Sequence, residues 1–219
     1  MKKLFQAIRK SEIEAVKQLI QKKPELVNCV AKQPPKKDDG QSPLQVALKT
    51  GNSEIAEYLI EAGADVNFIE DASCCDSWRT PVLHDAINNA VMKSRWNVNS
   101  EHMGFKVYST EEDAERAYAI LEKMLDLGAD VNAVDSFGNS AIWRFCLQAS
   151  QILPAYDYIN HCVRDDRIFT DELSEDLSRI LDLLCKNGAD LSYATPSTKA
   201  GVSEFYKEGP VHELLTMGR

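Results

Sequence analysis

A chain of 219 residues with 44% hydrophobic content can bury a sizeable core. Its formal net charge of −9 is unevenly spread: residues 1–37 hold ten Lys or Arg against three Glu, net +7, leaving fifteen basic and thirty-one acidic residues, net −16, over 38–219. That acidic majority argues against a nucleic-acid partner, because phosphate binding needs basic surface, and would steer a basic protein partner instead.

The start, Met1-Lys2-Lys3-Leu4-Phe5, opens like a secretory leader, but charge returns at Arg9 and Glu12 before an apolar run develops, so no signal peptide is expected. No stretch reaches the roughly 18 to 20 apolar residues of a membrane span. Leu4, Ala7 and Ile8 predict a short first helix, and Ile13, Val16, Leu19 and Ile20 form an apolar stripe of helical period that predicts a second. Lysines on the outer side of this pair suit a unit that faces water at the end of a stack. Pro34 and Pro35 lack amide donors, so Gln33 to Gly40 is expected to be a turn or extended finger.

The next stretch carries the most regular pattern. Asp39-Gly40-Gln41-Ser42-Pro43-Leu44-Gln45-Val46-Ala47-Leu48 is followed by Gly51-Asn52, by the apolar helix Ile55 to Ile60, and by Gly63-Ala64-Asp65-Val66-Asn67. The last phrase returns as Gly128-Ala129-Asp130-Val131-Asn132 and as Gly188-Ala189-Asp190-Leu191-Ser192, each time closing an amphipathic helix. Lys23 to Asn28 stands in its place in the first unit. This order resembles the ankyrin repeat, a turn, two antiparallel helices and a hairpin finger over about 33 residues. The resemblance implies an all-α solenoid of stacked helix pairs with hairpin-like fingers, and a role in binding another protein.

Further openings at Thr80-Pro81-Val82-Leu83-His84, Asp135-Ser136-Phe137-Gly138-Asn139 and Glu208-Gly209-Pro210-Val211-His212 divide the chain. We read one domain over 1–219: an N-terminal capping repeat at 1–39, repeat two at 40–67, repeat three at 68–132, repeat four at 133–192 and a C-terminal half repeat at 193–219. The repeated asparagine position advances by 39, 65 and 60 residues, so repeats three and four exceed the usual period. Neither long gap holds a second turn phrase and a second finger phrase. Insertions are therefore expected between the two helices of each repeat, at about 93–110 and about 151–170, against the alternative of a decayed extra repeat. Stacking would bring both insertions to one edge. Their apolar residues (Trp96, Val98, Met103, Phe105, Val107 and Tyr108; Ile152, Leu153, Tyr156, Tyr158, Ile159, Val163, Ile168 and Phe169) predict prolonged helices and a small secondary core there.

The resemblance also implies where a partner would sit, on the fingers and the concave face of the first helices. Carried over by position, the fingers offer Asp38, Asp39 and Gln41, then Phe68, Glu70, Asp71, Trp78 and Arg79, then Asp135, Ser136, Phe137 and Asn139. The helices offer Gln45, Lys49, Asn88, Arg144 and Gln148 as exposed positions, and Trp96 and Tyr156 stand for the insertion edge. His84 and His212, at the family's Thr-Pro-Leu-His position, imply structural bonds to turn backbone. Cys29, Cys74, Cys75, Cys146, Cys162 and Cys185 lack the ligand-pair spacing of a zinc site, so no metal or cofactor is expected. Cys146 and Cys185 fall at helical core positions, which fits free thiols in a reducing, cytoplasmic compartment. No phosphate loop, nucleophile elbow or His-Glu-x-x-His is present. The expected function is a monomeric, non-enzymatic module that binds one partner protein. The alternatives are an acidic inhibitor of immunity type that occludes a basic toxin or enzyme, an enzyme with a site between the insertions, and a host-directed effector.

Overall fold

A computed structural model describes residues 1–33, 38–71, 78–102 and 104–217. Pro34, Pro35, Lys36, Lys37, Cys74, Cys75 and Met103 lie outside the described residues. Helices run in pairs: α1 (Lys2–Arg9) with α2 (Ile13–Lys22), α3 (Pro43–Lys49) with α4 (Ser53–Glu61), α5 (Val82–Lys93) with α6 (Glu111–Asp126), and α7 (Ala141–Ile152) with α8 (Asp171–Lys186). A short α9 (Val202–Phe205) precedes α10 (Pro210–Thr216), which packs on α7 and α8. First helices stack on first helices, α1 on α3, α5 and α7 in turn, and second helices stack on second. The stack is an all-α solenoid.

Local chemistry sets the helix ends. Ser42 and Gln45 form a reciprocal capping box at α3, while Thr110 and Thr170 accept the N–H of Asp113 and Leu173 at α6 and α8. Pro43 and Pro210 occupy first-turn positions, where a missing N–H goes unmissed. The apolar stripes meet in one continuous core, in which Leu4, Leu44, Leu83, Ile142 and Leu214 from successive first helices are fully buried.

The asparagine of each repeated phrase ties neighbouring units. Asn28 donates from its amide to Gly63 O at 3.0 Å and accepts the N–H of Asp65 at 2.8 Å. Asn67 does the same to Gly128 and Asp130, and Asn132 to Gly188 and Asp190. His84 likewise donates from Nε2 to Ala133 O at 3.2 Å, and His212 Nδ1 lies 3.0 Å from Tyr206 O, so both imidazoles bond to turn backbone.

The helices that flank the long segments are prolonged, as expected, but the segments themselves differ from the expected small apolar core. Although α5 to α8 are longer than α3 and α4, each segment folds as a β-hairpin: β1 (Asn97–Ser100) with β2 (Gly104–Val107), and β3 (Tyr156–Asp157) with β4 (Cys162–Val163), both antiparallel. The two segments do touch, but through polar groups. Asn99 N–H donates to Asp166 O at 2.8 Å, and Asn97 exchanges two bonds with the backbone of Ile168. Arg95 reaches α8, where its guanidinium lies 2.7 Å from the buried Asp176. Phe105, Val107, Tyr108, Tyr158, Ile159, Val163 and Ile168 are consequently left exposed. Strand alternation turns every second side chain outward, and two short hairpins have too little face to enclose them.

Candidate binding site on the second and third fingers

Asp135 organises the third finger. Its carboxylate accepts the N–H of Phe137 at 2.9 Å, the N–H of Asn139 at 3.0 Å, the Asn139 amide at 2.9 Å and Arg144 Nη2 at 2.7 Å. Burial raises the carboxyl's pKa, but the Asn139, Phe137 and Arg144 donors outweigh it and hold the group below the usual range. Gly138 completes the turn with φ +81°, a left-handed conformation that suits glycine.

Backbone then joins this finger to the second. Ser136 N–H donates to Arg79 O at 2.9 Å, and Arg79 N–H donates to Ser136 Oγ at 3.0 Å. The join brings Trp78 edge-on to Phe137, with ring centroids 5.4 Å apart at 70°. From below, the Arg144 guanidinium lies 5.0 Å from the Trp78 ring centre. Trp78 stays 49% exposed and Phe137 52%, so two large rings held in a fixed geometry face solvent. A platform of this kind loses little conformational freedom on binding, which suits it to anchor a partner.

Beside the platform, α3 and α5 hold a buried polar cluster. Glu70 accepts Thr80 N–H at 2.7 Å, Gln45 Nε2 donates to Thr80 O at 3.2 Å and to Asp85 at 3.3 Å, and the Lys49 ammonium lies 3.7 Å from Glu70 and 3.9 Å from Asp85. Burial pushes the Asp85 carboxyl up to about 7, with Lys49 pulling the other way. His84 is driven down to about 4 by burial and by Arg144, so it is neutral at pH 7.

Six expected contact residues therefore meet here: Trp78, Arg79, Asp135, Phe137, Asn139 and Arg144. The positions taken as exposed need correction. Gln41, Gln45, Asp135 and Arg144 are buried, as is Glu70, because each bonds within or between repeats and serves the scaffold rather than the surface. Phe68 is half-buried against the core, Asp39 is held by Gln33, and Asp71 lies exposed at the described end of the second finger. Trp96 stacks on Tyr108 at 4.5 Å, and Tyr156 donates to Glu208 at 2.9 Å, so neither joins the platform. Cys185 is half-buried rather than in the core. A separate cleft of about 520 Å³ lies beside α1, lined in part by Phe5, Ala31 and the Arg9–Asp38 ion pair; of the expected finger residues it takes in only Asp38, which is buried there.

Residues 4–94 match the family model for ankyrin repeats, in three copies. This part of the chain is an ankyrin-repeat array. The matched span ends where α5 ends, yet the Asn67 and Asn132 clamps extend the same ankyrin stacking through α6 and α8. No curated protein matches the chain. Ankyrin repeats are generally protein–protein interaction modules and are typically non-enzymatic. No helix among the described residues is long and apolar enough to cross a membrane.

Asp85 escaped sequence reading altogether. A lone Asp on an apolar helix carries no signal until Glu70, 15 residues earlier, is folded against it.

Proposed function

We propose that this ankyrin array binds one partner protein and that the Trp78–Phe137 platform over Arg144 is its anchor. The observation that carries the reading is two half-exposed aromatic rings fixed by the Asp135 hydrogen bonds, since rigid aromatic anchors supply most of the energy in protein interfaces. The net charge of −16 over residues 38–219 supports a basic partner, and it also suits the narrower reading of an inhibitor that occludes a basic enzyme or toxin. Free thiols at Cys29 and Cys162 support a reducing, cytoplasmic setting, and we take the protein to act as a monomer.

The test is affinity capture from the native cell with the wild type, with Trp78→Ala, and with the double variant Trp96→Ala/Tyr156→Ala. The platform reading expects the partner to be lost with the first variant and kept with the second; the reverse would move the site to the insertion edge. Higher salt should weaken capture, and a salt-insensitive complex would count against a basic partner. Loss of the partner's own activity in the complex would select the inhibitor reading.

A further inference from the structure

In an antiparallel pair, residues alternate between those that bond across the ladder and those whose N–H and C=O point away. Tyr108 N–H donates to Trp96 O at 2.9 Å, which places the even-numbered residues of this hairpin on the bonded side. Asn99 N–H donates away from β2, to Asp166 O at 2.8 Å, in agreement with that assignment. Asn99 pairs with Phe105 and Asn97 with Val107, so the N–H and C=O of both Phe105 and Val107 point outward from β2. These four groups take no partner among the described residues.

The two edges of this small sheet are unlike. The β1 edge is closed by the second insertion: Asn99 donates from its side chain to Asp165 O at 3.1 Å, and Asn97 is bonded to Ile168 on both sides of its amide. The β2 edge is open, and all four of its residues are exposed. Phe105 and Val107 lie on one face, while Lys106 lies on the other with its ammonium 4.8 Å from the Tyr108 ring centre.

We infer that β2 accepts a short extended segment of a partner protein as an added antiparallel strand, and that the segment reads apolar, acidic, apolar. Bonds to Phe105 and Val107 would supply the backbone ladder. The residue opposite Lys106 would fall in the non-hydrogen-bonded site of the new ladder, where side chains come closest, so an acidic residue is favoured there and a basic one is not. The same Lys argues against a second copy of this chain. Bonding both Phe105 and Val107 to their counterparts places Lys106 directly opposite Lys106 of the other copy, and a lysine on an edge strand is a known guard against self-pairing. This surface does not use the finger platform.

The probes are the peptide acetyl-Ser-Thr-Val-Glu-Val-Thr-Ser-amide and the same peptide with Lys in place of Glu, titrated into the full chain while its amide NMR signals are followed. The expected result is saturable shifts at Phe105 and Val107, with the Glu peptide binding at least about threefold tighter than the Lys peptide. Lys106→Glu should reverse that preference. Val107→Pro, which removes an outward donor without breaking the β1–β2 ladder, should lower affinity for both peptides at least about fivefold. Trp78→Ala should leave the peptide affinity within about twofold, separating this edge from the finger site. Equal binding of the two peptides, no shifts at Phe105 and Val107 up to millimolar peptide, or an unreversed preference in a Lys106→Glu protein with an otherwise native spectrum would overturn the inference. So would concentration-dependent shifts of the same amides without peptide, which would assign the edge to a second copy.

Discussion

Asn67 donates to Gly128 O at 2.9 Å across 61 residues, and accepts the N–H of Asp130 at 2.7 Å in return. The same exchange spans 35 residues from Asn28 to Gly63 and 56 from Asn132 to Gly188. Distances barely change while the intervening chain nearly doubles. The inserted hairpins leave the stack where the helices part, so the register of one unit on the next is unaffected.

Removing the Asn67 clamp should therefore loosen one interface of the stack. Asn67→Ala loses two side-chain bonds, each worth about 0.5–1.5 kcal/mol net, so a loss of about 1–3 kcal/mol is expected. Asn67→Asp keeps the acceptor and should lose less. Urea unfolding followed by far-UV dichroism measures both.

On the platform, exposure separates binding from folding. Trp78→Ala and Phe137→Ala remove half-exposed rings and should each weaken the partner by about 2 kcal/mol, or about 30-fold, with a stability change below about 1 kcal/mol. Arg144→Ala should lose both, because it strips a cation from the buried Asp135 at a cost of about 3 kcal/mol. Calorimetric titration against the captured partner, alongside thermal melts, distinguishes the two outcomes.

Asp85 carries a pH signature. Its folded carboxyl titrates near 7 against 3.8 for the unperturbed group, so between those values the folded state holds a proton that the unfolded state has released. Stability from this group thus declines as pH rises from about 4 to about 7 and is level above. His84 opposes it: a folded pKa near 4 against 6.5 loses stability as pH falls through that window, which masks the slope in the wild type. Asp85→Asn isolates the effect. Its melting temperature relative to wild type should be higher at pH 8 than at pH 5, and an unchanged difference would refute the assignment.

Gly138 is doubly constrained. Its φ is +81°, and an added Cβ would come within 2.5 Å of Pro196 Cδ in the following finger. Gly138→Ala should destabilise by about 1–3 kcal/mol and disturb the Phe137 tip, seen as lower thermal stability and weaker partner binding together.

The hairpin of the first insertion depends on a distant anchor. Arg95 donates from Nη2 to the buried Asp176 at 2.7 Å and from Nε at 3.0 Å. Arg95→Ala leaves that carboxylate without its cation and should cost about 3 kcal/mol. Amide exchange should accelerate at Val98 and Lys106 before it does in α5.

Periodicity and end signals are local, and they made the scaffold legible without a structure. The apolar stripes of the helices and the recurring Gly-Ala-Asp phrase each depend on residues within a turn or two of one another. The uneven spacing of Asn28, Asn67 and Asn132 also marked where extra chain had to leave the stack. What folded structure alone decided is which side chains meet across 15 to 81 residues: Asp85 beside Glu70 and Lys49, Arg95 on Asp176, Trp78 on Phe137. A side chain's type states what it can bond, but burial and partner come from neighbouring units. Arg144 therefore read as surface and proved to be the underside of the platform, while Phe105 and Val107 read as core and proved to be an open edge.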